Sequence, residues 1–212
     1  MNAFRYAQND LFKSGPNFKL NACVGKNGGP YNFRDYSKGY FEAAQRIAAS
    51  SFSTPHLIDV MIYPLVYLFR HGIELGLKHL AQKLPLIFDE KNQVHTTHRL
   101  LDNWLIVRRY LEQLPDGGND PQPIQTVDRV LKDFVQLDPK GEAFRFPQST
   151  DGQPYLDEVS VINIGVLAEA MKDVREAFDF WFTVTETLRD IKAEEFFYYQ
   201  RHAAEMLWYG PQ

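Results

Sequence analysis

The chain has 212 residues, 44% of them apolar, with a formal net charge of -4 and a pI near 5.9. That is ample for a conventional core and lacks the basic stripe of a dedicated duplex binder, so no duplex DNA partner is expected. Cys23 is the only cysteine, which excludes an intramolecular disulfide and a thiolate metal cluster.

The opening MNAFRYAQNDLFKSG has neither the basic start nor the apolar middle of a signal peptide, and no charge-free apolar run reaches the roughly 18 residues of a membrane span. A soluble, cytoplasmic protein is expected. Residues 1–30, closing in GKNGGP, read as an irregular arm. From Phe33 onward Tyr36, Tyr40, Ala43, Ala44, Ile47 and Ala48 recur at helical steps and predict a first helix. Thr54 followed by Pro55 predicts a capped start for a second helix, running to about Leu84, kinked at Pro64 and stopped by Pro85. The segment after Pro85 has room for a small hairpin between Ile87-Phe88 and Val94.

Thr96 or Thr97 then caps a third helix with Leu100, Leu101, Trp104, Leu105, Val107 and Leu111 facing inward, ending at PDGGNDPQP. A fourth covers Ile124 to Leu137, with Ile124, Val127, Val130, Leu131 and Phe134 on its apolar face. The stretch DPKGEAFRFPQSTDGQPYLDE is too rich in Pro, Gly and Asp for a long helix. From Ser160 helical periodicity returns as far as Trp181. The β-branched cluster in FTVTETL marks a weak point, and residues 187–212 predict a separate aromatic helix that either caps the core or meets a second copy. The expectation is an all-α bundle of five or six helices, with the arm at 1–30, the bundle at 31–186 and the aromatic helix at 187–212.

The stretch YPLVYLFRHGIELGLKH carries the strongest signal. At about 100° per residue Tyr63, Tyr67, Arg70, His71, Glu74 and Lys78 share one arc, while Leu65, Val66, Leu68, Phe69, Ile73, Leu75 and Leu77 cover the remainder. A helix apolar over most of its circumference lies inside a domain, so this polar stripe belongs at an internal groove or interface.

The ordered set of AA in the first helix, YLFRHGIELGLKHL, HRLLDNW, AFRFPQSTDGQP and INIGVLAEAM, spread over residues 33–182, resembles a group of bacterial all-helical proteins similar to the HEPN (higher eukaryotes and prokaryotes nucleotide-binding) superfamily. The resemblance implies a helical bundle, frequent homodimerisation, nucleotide or RNA as ligand, and a setting among mobile elements, toxin–antitoxin pairs or phage defence. Active ribonucleases of that superfamily carry an Arg, four to six residues, then a His. Here Arg70 adjoins His71, eight residues separate it from His79, and Arg201 adjoins His202, so that signature is absent. The residues that match the closer subgroup are Arg70, His71, Glu74, Lys78, His98 and the loop from Phe144 to Pro147.

Metal-independent RNA cleavage needs a base, an acid and a cation at the phosphorane, roles open to His71, His98 and Arg70 as catalytic residues. Tyr67, Glu74, Lys78 and Arg145 are the candidate ligand-binding residues. Against this, Arg70 with Glu74 and Glu74 with Lys78 are also ordinary pairs one turn apart that satisfy each other. His98 with Asp102 is either an oriented base or a helix-end pair. Arg145, between Phe144 and Phe146, suits a base or phosphate, or reaches Glu74 or Asp157 and pins the loop. His95 and His98 lack an HExxH context for zinc, and Gly28-Gly29 follows no strand, so no metal or cofactor is expected. The remaining reading is an inert dimeric interaction protein whose stripe is a structural network.

Overall fold

The structure, a computed structural model, describes residues 11–25, 31–90, 94–115 and 117–208, the side chains of 203–208 excepted. Gly28-Gly29, the turn of the hairpin expected before Val94, and Tyr209 fall outside that set, as does the side chain of Trp208. The chain divides into two units, residues 1–31 and 32–212. In the first, a 3-10 turn at Phe18–Leu20 is capped by Asn17, and the Asn21 side chain clasps both the N–H and the C=O of Gly15. Its described residues are otherwise irregular and exposed.

The second unit is an all-helical bundle whose described residues form five helices and no strand. They are α1 (Phe33–Ser51), α2 (Ile58–Ile87), α3 (Leu100–Leu111), α4 (Pro121–Leu137) and α5 (Ile164–Trp208). α1 starts in a capping box: the Asn32 side chain accepts from the N–H of Asp35, whose carboxylate accepts from the N–H of Asn32. Its buried stripe is Ser37, Phe41, Ala44 and Ala48, so Tyr36 faces solvent, one position off the expected face. The shift follows from close packing on α2. Ser37 Oγ donates to the Gly72 carbonyl at 2.7 Å, and a Cβ built on Gly72 would lie 3.1 Å from the Phe41 ring.

α2 is the central helix and packs against α1, α3 and α5. Its residues are buried on nearly every side from Leu65 to Leu84, as its all-round apolar pattern predicts. The start differs from expectation. Pro55 opens a 3-10 turn, Pro55–Leu57, and Thr54 caps nothing, its hydroxyl donating back to Ser50 instead. The helix continues through Pro64, where the carbonyl deprived of a donor belongs to Val60 on an exposed face. It also passes Pro85 to end at Ile87. The proline's fixed φ is helical, and burial of Leu84, Pro85 and Ile87 keeps the last turn wound. With Ile87 in the helix and Val94 in an irregular segment, the expected hairpin does not form. The one strand-like feature among the described residues is a bridge between Gln148 and Pro154.

α3 begins after Arg99, and the threonine cap is replaced by a clasp. The Asn103 side chain accepts from the N–H of Thr97 and donates to its carbonyl, both at 2.9 Å. Leu100, Trp104, Val107 and Leu111 face inward as expected, whereas Leu101 and Leu105 are exposed. The helix is apolar on too many sides for its sequence to choose a face, and the choice is made by Trp104. Its indole packs on Trp181 with ring centroids 5.8 Å apart and donates to Asp128 at 2.6 Å. α4 starts at Pro121, capped by Asp120, and buries all five residues named for it.

The predicted interruption after Trp181 does not occur. α5 is one helix from Ile164 to Trp208, because Phe182 and Thr185 are buried and Thr183 returns its hydroxyl proton to the Asp179 carbonyl. Residues 187–208 therefore continue the bundle's own helix.

Candidate functional site

Two loops close over the polar stripe of α2, one from residues 94–99 and one from 138–147. At the centre lies Glu74, with a side chain only 5% exposed. Its Oε1 accepts from Lys78 Nζ at 2.8 Å and lies 2.9 Å from His98 Nδ1, while its Oε2 is 3.5 Å from Arg70 Nη1. Arg70, 6% exposed, also meets a second carboxylate: its Nε stands 3.5 Å from Asp138 Oδ2. That separation is an ion pair without a good hydrogen bond, and neither atom has another partner among the described residues. The other oxygen of Asp138 accepts from the backbone N–H groups of Glu142 and Ala143 at 2.7 and 3.1 Å. Asp138 thus ends α4, holds the first turn of the loop and neutralises Arg70.

Gly141 explains how the loop fits so closely. Its φ is +78°, and a Cβ there would lie 2.4 Å from Arg70 Nη1. Only glycine satisfies both conditions. Neither Asp138 nor Gly141 was anticipated as part of the site, since in sequence DPKGE reads as a generic turn. A further pair in α2, Gly72 and Gly76, was visible as two glycines one turn apart. A Cβ on Gly76 would fall 2.6 Å from the Phe178 ring of α5, so these residues allow α1 and α5 to approach α2.

Burial alone would raise the pKa of Glu74, but the hydrogen bond and charge of Lys78, with the hydrogen bond to His98, outweigh it and hold the carboxyl below the usual range. His71 stacks on Tyr67 at 5.7 Å and takes the edge of Tyr40 at 4.5 Å. Burial pushes its pKa down, against the pull of Glu74, so the ring is neutral near pH 7. His98, in contrast, is 88% exposed, and its carboxylate is Glu74. Asp102 pairs with Arg99 at 3.6 Å.

Arg145 is exposed and reaches neither Glu74 nor Asp157. Its guanidinium lies over the rings of Phe146 and Tyr67, 5.1 and 5.8 Å from their centroids, and meets no carboxylate within 4.0 Å among the described residues. It stands on the wall of a cleft of about 760 Å³. The first turns of α2 (Ile58, Asp59, Ile62, Tyr63) form one side of that cleft, and residues 143–147, Tyr155, Leu156 and 159–162 form the other. Of the candidate site residues Arg145 lines it, whereas Tyr67, Arg70, His71, Glu74, Lys78 and His98 do not; Tyr63, from the same polar stripe, does. A hydrogen bond from the Tyr155 hydroxyl to Glu142 at 2.7 Å and a backbone bond from Tyr155 to Pro147 fold the loop back on itself.

The structure therefore brings Tyr67, Arg70, His71, Glu74, Lys78, His98 and Arg145 into one contiguous neighbourhood that separates into two parts. One is a self-neutralised network; the other is a cation between aromatic rings at an open cleft. Compared with family models, curated proteins and solved structures, the chain matches none of them.

Proposed function

We propose that this protein is a binding module whose cleft, between the start of α2 and the Phe144–Pro147 loop, takes a nucleotide or the end of a single-stranded RNA. The single observation that carries this reading is Arg145, a guanidinium held in place by Tyr67 and Phe146 with no carboxylate among the described residues close enough to neutralise it. A planar, permanently charged fork at the edge of a cleft suits a phosphate group. The volume falls within the usual range for small-molecule sites. Tyr63 supplies a half-exposed ring for a base, and Asp59 an acceptor for ribose hydroxyl or exocyclic amine protons. Such a ligand agrees with what the resemblance to the HEPN superfamily implies.

We assign the stripe itself to bracing. Arg70, Glu74, Lys78 and Asp138 neutralise one another, and Gly141 packs over Arg70, so the group has no excess positive charge to offer a scissile phosphate. His71 and His98 keep the residue type of an acid–base pair, but His71 is enclosed by two tyrosines. The same neutralisation supports a second reading, an inert dimeric interaction protein.

The test is a saturation titration of the purified protein with nucleoside mono-, di- and triphosphates and with a short single-stranded RNA. The expected result is saturable binding of a phosphate-bearing ligand that weakens about tenfold in Tyr63→Ala and changes base preference in Asp59→Asn. Absence of saturable binding across the panel sinks the reading and leaves the interaction protein.

A further inference from the structure

α5 outruns the bundle that it belongs to. From residue 193 to 202 every described side chain is exposed, including Phe196 (59%), Phe197 (63%), Tyr198 (59%) and Tyr199 (70%). Consecutive residues point in directions about 100° apart, so four aromatics in a row clothe the helix on all sides. Among the described residues these rings meet near neighbours on the same helix: Phe196 on Phe197, Tyr198 on Tyr199, and Tyr198 on His202. A helix apolar all round is one that is buried in its assembly.

From this overhang we infer a dimer in which the tail of α5 pairs antiparallel with the same segment of a second copy. The argument lies in the order Glu194-Glu195-Phe196-Phe197-Tyr198-Tyr199-Gln200-Arg201. Glu194, Phe197, Tyr198 and Arg201 fall at steps of three, four and seven and form one stripe of the helix. With a two-fold axis between Phe197 and Tyr198, the stripe maps onto itself: Glu194 of each copy faces Arg201 of the other, and Phe197 faces Tyr198. A parallel pairing would set Glu194 on Glu194 and Arg201 on Arg201. Within the protomer, Glu194, Glu195 and Arg201 form no ion pair among the described residues, so these charges are free to choose the orientation. Each ring holds roughly 100 to 150 Å² in water. The pairing brings together Phe197 and Tyr198 of each tail, four rings that carry on the order of 500 Å², while Phe196 and Tyr199 stay on the far face; that is below the size of a standard specific interface and fits a weak, reversible dimer whose orientation is set by charge. An isologous contact of this kind is closed, and does not propagate into a filament.

Sedimentation equilibrium of the full chain over a hundredfold concentration range tests the pairing. The wild type is expected to pass from monomer to dimer mass, and Phe197→Glu to weaken association by about tenfold or more. Because that residue lies outside the core, helix content and melting temperature hold. Glu194→Arg and Arg201→Glu are each expected to weaken the dimer several-fold, and the double variant E194R/R201E to restore it, since exchange of both charges recreates the antiparallel match. A wild type that stays monomeric throughout overturns the inference. So does a dimer indifferent to Phe197→Glu, or single charge variants that the double variant does not rescue.

Discussion

The two parts of the neighbourhood around the α2 stripe each centre on an arginine and do opposite things. At Arg70 a guanidinium sits at the floor of the loop with carboxylates on both sides, sealed by a glycine. At Arg145 a guanidinium of the same charge lies on the outside of that loop, between aromatic rings and beside a cleft. What separates them is the supply of neutralising partners. A buried cation must be paired on the spot, because leaving it unpaired costs several kcal/mol, and once paired it has nothing left for a ligand. An exposed cation bears no such penalty, and its neighbours only have to aim it. Charge in an otherwise apolar helix therefore marks a site, but the residues that meet a ligand are the ones left unpaired at its edge.

The largest expected effect comes from breaking the buried half. Arg70→Ala leaves Glu74 and Asp138 without their shared cation and should lower unfolding free energy by about 3–5 kcal/mol in urea titrations. The loop that carries Arg145 should loosen with it, as read by hydrogen exchange at the N–H groups of Glu142 and Ala143.

Acid comes next, acting through a neighbour of the stripe. His79 is buried against Phe182, and burial pushes its pKa down to about 4 from 6.5. Between those values the unfolded chain binds a proton that the native one refuses, so stability falls as pH drops through that window, by about 3 kcal/mol at most. His79→Leu should flatten the slope there. Glu74, whose pKa is held below the ordinary 4.5, keeps its full contribution above that value and loses it progressively as pH falls below it, until the native carboxyl is itself protonated.

Gly141→Ala should follow with a loss of about 1–3 kcal/mol from its positive φ alone, increased by the clash with Arg70. His98→Ala should change stability least, by about 0.5 kcal/mol or less, because the ring is open to water although it touches Glu74.

Much of this was legible in the sequence, and the failures have physical causes. The faces of α2 and α4 and the all-helical class followed from periodicity, and the charged stripe stood out because charges in an apolar helix have few places to go. Leu101 and Leu105 were placed inward because a helix with leucines all round gives no vote, and the Trp104 contacts with Trp181 and Asp128 that decide it come from distant parts of the chain. Pro85 and the β-branched run after Trp181 were read as breaks because local propensity was weighed without the burial that overrides it. In the site, the stripe could be found from one helix alone. Asp138 and Gly141 lie more than sixty residues from Arg70, and nothing local distinguishes them from any other Asp and Gly in a turn.

The division of labour is tested most directly by measuring two quantities, ligand affinity and unfolding midpoint, on Arg145→Met and Arg70→Met side by side. Arg145→Met should lower phosphate-ligand affinity about tenfold or more with an unchanged midpoint, and Arg70→Met should lower the midpoint sharply. If Arg145→Met binds like the wild type, or if Arg70→Met keeps its midpoint and loses only binding, the roles assigned to the two arginines are wrong.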